Sequence, residues 1–263
     1  MNSSVVRVGC RQLSPVLGDL EGNQRRVLEA IASSGADVLV LPELATSGYV
    51  FETLDEVDAC AVPADDPIFA SWTAALVGDS IVVAGFAERG RDGLFYNSAA
   101  LVSQAGVLAT YRKAHLWDRE KLFFTPGSQP APVVETRFGR VAVMICYDLE
   151  FPEYTRQAAL AGADLIAVPT NWPLIERPAG ERPPELLIGQ AAARVNHVAI
   201  ACCDRAGTER GQEWTEGTGI IGADGWLAAT GPHADADLDL ATAQDKKISS
   251  HNDLFGDRRT DLY

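Results

Sequence analysis

Short apolar runs alternate along this chain with Gly, Pro and Asp, and their periods separate strands from helices. Val5 to Leu13 reads as a first strand, with Val6, Val8 and Cys10 on one face. Gly18-Asp19 then introduces a helical stretch whose Leu20, Val27, Leu28 and Ile31 form an apolar stripe, and Gly35 stops it. Asp37 to Pro42 follows as a strand too continuously apolar to have one wet face. A helix from Pro67 to Val77 precedes three strands, Ser80 to Ala87, Tyr96 to Ser103 and Val107 to Arg112. Gln104-Ala105-Gly106 links the last two as a hairpin turn. Val133-Val134 and Arg140 to Cys146 are strand-like, Glu153 to Ala161 helical, and Asp164 to Pro169 another buried strand. A helix covers Pro184 to Val195, then a strand Val198 to Cys203. Thr218 to Gly222 and Trp226 to Ala229 pair around Ala223-Asp224-Gly225.

This order mixes βαβ units with hairpins, so it predicts a layered α/β sandwich rather than a purely parallel sheet. One internal echo supports two related halves. Gly35-Ala36-Asp37-Val38-Leu39-Val40-Leu41-Pro42-Glu43 resembles Gly162-Ala163-Asp164-Leu165-Ile166-Ala167-Val168-Pro169-Thr170. In each, a helix stops at Gly, Asp opens a strand and Pro ends it. If the halves are related, Glu43 and Thr170-Asn171 lie at equivalent strand ends, where ligands bind in such sheets. Two unrelated buried strands would give the same pattern by coincidence.

With 263 residues, 47% of them hydrophobic, the chain can bury a large core, and no linker or low-complexity tract divides it, so residues 1–263 read as one domain. The formal net charge of −14 comes without a basic patch, which argues against a nucleic-acid partner. Met1 to Arg7 lacks the basic and apolar regions of a signal peptide, and no apolar run reaches membrane-spanning length. Cys10, Cys60, Cys146, Cys202 and Cys203 are odd in number and scattered, which suits a reducing cytoplasm rather than a disulfide framework. No C-x-x-C or H-E-x-x-H spacing offers a metal site.

The candidate chemistry sits at strand ends. Cys146 closes the apolar run Val141-Ala142-Val143-Met144-Ile145 and meets a turn at once, so its thiol stands on a strand-to-turn elbow facing a pocket. The bland alternative is a packed structural thiol. Glu43 ends a fully apolar strand, where a carboxylate is costly unless paired, and desolvation raises it toward the range of a general base; the alternative is a solvated loop glutamate. Lys113, in Tyr111-Arg112-Lys113-Ala114-His115-Leu116-Trp117, ends a strand among aromatic residues and can pair with Glu43.

Three segments occur in the same chain in this order: Leu41 to Tyr49, Tyr111 to Trp117 and Ile145 to Glu153. Together they resemble the Glu, Lys and Cys motifs of the nitrilase superfamily of carbon–nitrogen hydrolases. Arg119 to Gly127, Asp204 to Glu209 and the tail Asp257 to Tyr263 extend the resemblance over nearly the whole chain. The resemblance implies an α-β-β-α four-layer sandwich that associates through its helical faces into a homodimer or larger homo-oligomer. Residues 245–263 would then be a tail at the subunit interface. It also implies Glu43 as general base, Lys113 as oxyanion stabiliser, Cys146 as nucleophile and Glu120 as a second carboxylate beside them. The Tyr147 backbone N–H, next after the nucleophile, is the natural second oxyanion donor. A thioester acyl-enzyme follows, with no metal or organic cofactor.

The Tyr-Asp after Cys146 looks like the amidase and carbamoylase branches; true nitrilases usually carry Trp-Glu there. A small amide is therefore the expected substrate, with N-carbamoyl amino acids or amines and nitriles as alternatives. Asn171 and Trp172 are expected to form a substrate wall, joined by Tyr49 and Trp117. No arginine clamp can be fixed among Arg177, Arg182 and Arg194, so the reading leans to a compact, neutral aliphatic amide. A Cys-His hydrolase using His115, His197, His233 or His251 is one rival. A non-catalytic binding protein is another, but it would be expected to have lost one of the three residues. Cys202-Cys203 reads as two packed thiols on opposite strand faces.

Overall fold

The computed structural model describes residues 5–262. Met1 to Ser4, cited above for the missing signal peptide, and Tyr263 at the end of the tail lie outside the described residues. The first half runs β1 (Val5–Arg11), α1 (Leu20–Ser33), β2 (Val38–Val40), α2 (Leu54–Cys60), α3 (Ile68–Ala75), β3 (Ile81–Arg89), β4 (Phe95–Ser103) and β5 (Gly106–Arg112). The second runs β6 (Val133–Thr136), β7 (Gly139–Val143), α4 (Pro152–Leu160), β8 (Leu165–Pro169), α5 (Pro184–Asn196) and β9 (Ala199–Cys203). A two-residue pair, β10 (Thr208–Glu209) and β11 (Gln212–Glu213), comes next, then β12 (Gly219–Ile221), β13 (Leu227–Thr230) and β14 (His233–Asp239).

Two six-stranded sheets result, ordered β14-β1-β2-β3-β4-β5 and β6-β7-β8-β9-β12-β13. Their pairing directions match strand for strand: one antiparallel edge pair, two parallel pairs, two antiparallel pairs. The internal echo falls on β2 and β8, the middle strands of the two parallel triplets. The first sheet takes its antiparallel edge from the far end of the chain, β14, whereas the second takes it from β6, just before β7.

Each parallel triplet is buried on both faces, as its apolar runs predict. In β2, Val38 and Val40 point to the opposite sheet and join a core with Val143, Leu165, Ala167 and Ile200. Leu39, between them, points the other way with Leu41, onto Ile31, Phe69 and Trp72 of α1 and α3. Leu186 and Ala193 of α5 and Ala158 of α4 cover the second sheet's outer face. The layers are therefore helix, sheet, sheet, helix, the four-layer sandwich of the nitrilase type. Among the described residues no helix is long and apolar enough to cross a membrane.

The apolar pattern places the long elements and misses the short or polar ones. Leu54–Cys60 is helical because Thr53 caps it, accepting from Glu56 N at 3.2 Å, although only Val57 and Cys60 are buried. β14, His-Ala-Asp-Ala-Asp-Leu-Asp, has low strand propensity and forms because the unpaired edge of β1 supplies its ladder. The predicted strand Arg140 to Cys146 stops at Val143, so Cys146 lies beyond it. At the start of the tail, Lys246 Nζ donates to the carbonyls of Asn196 (3.0 Å) and His197 (2.8 Å) at the C-terminus of α5. That is where a cation meets the negative end of the helix dipole.

Candidate active site

Several strand ends converge on one buried cluster. The chain leaves β2 through Leu41-Pro42 and turns at Leu44, whose φ is +47°. Gly85 of β3 makes room, since a Cβ there would stand 2.3 Å from Leu44 N and 2.6 Å from Glu43 Cα. Glu43 is fully buried. Its Oε1 accepts from Lys113 Nζ and from Asn97 Nδ2, each at 2.7 Å. Its Oε2 is buried and receives no hydrogen bond. Burial pushes the Glu43 carboxyl up to about 7; Lys113 opposes the rise and the Glu120 charge adds to it.

Lys113 extends the β5 ladder by one bond, its N–H donating to Asn97 O at 2.8 Å. Its ammonium is fully buried and donates at 2.7 Å to both Glu43 Oε1 and Glu120 Oε1. Burial works against this charge, but the Glu120 and Glu43 carboxylates outweigh it and hold Lys113 protonated beyond its ordinary range. Glu120 sits in a 3₁₀ turn, Asp118–Leu122. Its Oε1 also accepts from Tyr49 OH at 2.5 Å, and its Oε2 from Trp117 N at 3.2 Å.

Cys146 opens a second 3₁₀ turn, Cys146–Glu150, with φ at +48°. Such a left-handed conformation costs a non-glycine residue about 1–3 kcal/mol, so the surroundings must hold it. Asp148 does so. It is fully buried; its Oδ2 accepts from Ile145 N (3.0 Å) and Tyr111 OH (2.8 Å), and its Oδ1 accepts from His115 N (3.0 Å) and meets His115 Nδ1 (2.7 Å). One carboxylate thus ties the Cys146 elbow to the strand end that carries Lys113. His115 is committed to Asp148 and stacks on Phe151 at 3.8 Å. The Cys146 thiol is pushed well above its ordinary value by burial and by the Glu43 charge, while Lys113 and the Asn171 backbone N–H pull it back.

The echoed strand ends meet here. Glu43 N donates to Thr170 O at 3.4 Å, and Asn171 Nδ2 donates to Glu43 O at 2.9 Å. Asn171 therefore acts on the Glu43 backbone. Trp172 and Trp117 line a cavity of about 240 Å³ over Cys146, with Tyr147, Glu150, Glu185 and Ile188. Trp117 also borders a second cavity of about 110 Å³, lined by Tyr49, Glu120 and Trp214. Arg182 is turned to Gln190 at 2.8 Å. Cys202 and Cys203 are buried, unbridged thiols. Among the described residues, no cluster of His, Cys, Asp and Glu is arranged to hold a metal ion.

The sequence of the carbon-nitrogen hydrolase family matches residues 7–248. The chain belongs to that family. The hydrolase is 34% identical to a nitrilase of Pyrococcus abyssi over 98% of this chain and 99% of the relative. It is 32% identical to a 2-oxoglutaramate amidase of Bacillus subtilis, covering 88% of each. An amidase from Nesterenkonia sp. has the same fold, with a TM-score of 0.79 at 26% identity over 100% of this chain and 96% of that one. A variant of that amidase carries the acetamide moiety of fluoroacetamide on its active-site cysteine.

Sequence reasoning had not singled out Asn97 and Asp148 in this hydrolase. Asn97 had a visible sign, an amide inside the apolar strand Phe95–Ser103. Asp148 had none beyond its place in the Cys146 motif, because its other partners, Tyr111 and His115, come from a distant segment.

Proposed function

We propose that this hydrolase cleaves small amides to a carboxylic acid and ammonia or an amine through a thioester on Cys146. The observation that carries the reading is the state of Glu43. Lys113 and Asn97 fix one of its oxygens, while the other is buried, has no donor and belongs to a carboxyl at about 7. A carboxyl poised near neutrality is suited to general-base work. The resting Cys146 is a neutral thiol, so it needs a base at the moment of attack.

Glu43 Oε2 takes the thiol proton as Sγ bonds to the carbonyl carbon. Negative charge moves to the carbonyl oxygen, which the Lys113 ammonium and the Tyr147 N–H stabilise. Collapse breaks the C–N bond, and Glu43 returns the proton to the departing nitrogen. Water, deprotonated by Glu43, then attacks the thioester, and the carboxylic acid leaves as the thiol is restored. Glu120 holds Lys113 between two carboxylates and so keeps it charged and aimed. Trp117 and Trp172 wall the substrate cavity, Tyr49 holds Glu120, and Asn171 steadies the Glu43 backbone.

The two amidases support amides as the substrate class. The relative named nitrilase supports nitriles as a second reading. Ammonia release from small amides, N-carbamoyl compounds and matching nitriles, with Cys146→Ala as the blank, tests both. The expected result is release that vanishes in Cys146→Ala, with an acyl adduct on the wild-type protein by intact mass. Substantial turnover by Cys146→Ala would sink the assignment.

The same reading takes the chain as one hydrolase domain, cytoplasmic, and paired through its helical faces with the 245–263 tail at the interface. Exposed Leu160 on α4 and Leu187 and Val195 on α5 support such pairing. Light scattering on the eluting protein gives the subunit number, and a monomer would remove this part.

A further inference from the structure

The cavity over Cys146 carries charge that the reaction above does not use. Glu150 ends the 3₁₀ turn that Cys146 opens, and Glu185 lies in the first turn of α5. Both line the cavity. The side chains beside them there, Trp117, Tyr147, Trp172, Ile175 and Ile188, are aromatic or aliphatic. Glu185 Oε2 is shielded from water and receives no hydrogen bond. Burial pushes both carboxyls up, and the Glu185 charge adds to the rise at Glu150. Lys113 opposes the rise at Glu150, and the Glu185 backbone N–H, then Arg177, oppose it at Glu185, each more weakly than burial.

Two carboxylates in an apolar wall are costly unless something positive completes them. The same cavity lies over the reacting thiol, so an amide held there for attack lies beside both glutamates and can bring a cation to them. Its remaining methylenes would lie against Ile175, Ile188 and the aromatic rings.

We propose that Glu150 and Glu185 select amides bearing a positively charged amino group, so that compact ω-amino amides are the preferred substrates of this enzyme. The inference rests on the amide-hydrolase reading and replaces the expectation of a neutral aliphatic amide. An uncharged amide adds no positive charge beside the two carboxylates. An amide ending in a carboxylate adds a third negative charge to the same low-dielectric wall.

Three amides of equal chain length test it: 5-aminopentanamide, pentanamide and 4-carboxybutanamide, compared by kcat/KM at low salt. The amino amide is expected to exceed the neutral one by at least about tenfold and the carboxylated one by at least about a hundredfold. In Glu150→Gln and Glu185→Gln the ratio of amino to neutral amide should fall toward unity. Because that ratio is taken within each variant, a loss of folded protein cancels. Preference for the neutral or the carboxylated amide by the wild-type enzyme overturns this proposal and leaves amide hydrolysis standing. An unchanged ratio in both variants also overturns it. Silence toward all three amides, with no acyl adduct on Cys146, overturns the amide reading and this proposal together.

Discussion

Glu43 and Asp204 are both buried carboxylates, and burial pushes both up to about 7. Glu43 follows β2 in the first half; Asp204 follows β9 in the second. They differ in what their oxygens do. Asp204 Oδ1 accepts from Trp172 N and Arg205 N at 2.9 Å each, and its Oδ2 accepts from Gly217 N at 2.8 Å. Three backbone donors occupy it, and it knits three loops together. Glu43 has both donors on one oxygen, and the other is bare. A raised pKa therefore marks burial in both, while the spare oxygen separates a group that can take a proton from one that only holds backbone.

The largest effect that would break or sharpen this contrast is expected at Glu43. Glu43→Gln keeps the shape and an oxygen for Lys113 and Asn97 but cannot accept the thiol proton. Its kcat/KM should fall by about 10³-fold or more, with the folded state retained by circular dichroism. In the wild type, kcat/KM should rise with pH through a limb near 7, because the base must be deprotonated. That limb belongs to the coupled Glu43, Lys113 and Glu120 cluster rather than to one carboxyl. A limb in the ordinary glutamate range would contradict the buried base.

Asp204→Asn should show the reverse, a stability loss of about 1–3 kcal/mol from disrupted backbone bonds and less than about a tenfold change in kcat. Its folded-state pKa is raised from 3.8 to about 7, so the protonated form is favoured on folding. That contribution is fully present below about 3.8 and is lost as pH rises through about 7. The deficit of Asp204→Asn in urea unfolding should therefore be larger at pH near 5 than at pH near 8. A large loss of kcat with stability intact would place Asp204 in the chemistry and erase the contrast.

The smallest effect is expected where a charge meets backbone near the surface. Lys246→Ala removes the ammonium from the Asn196 and His197 carbonyls and should cost about 0.5–1 kcal/mol, read as a lower Tm with kcat unchanged.

Much of the scaffold was legible because burial on both faces leaves an unbroken apolar run, and a run can be read without partners. β2, β3, β8 and β9 are of this kind. The elements that stayed hidden depend on partners. β14 is mostly aspartate and alanine and is a strand only beside β1. Leu54–Cys60 hangs on a Thr53 cap and two buried side chains. At the site, Glu43 and Cys146 stood out as chemistry-bearing residues at the ends of apolar runs, and Lys113 as one that ends a strand among aromatic residues. Asp148 did not, although it bridges the Cys146 elbow and the Lys113 strand end. A turn aspartate looks the same in sequence whether it faces water or four donors.

By itself the sequence determined which segments are two-faced strands, which end in titratable groups, and in what order those groups occur. Those properties are local, set by side-chain period and by the residue at each strand end. Only the tertiary structure decided that Lys113 lies between Glu43 and Glu120, that one oxygen of Glu43 is left bare, and that Glu150 and Glu185 share the cavity of Cys146. Each of these depends on how segments distant in the chain are brought together. Sequence spacing does not encode such distances; the packing of two sheets does.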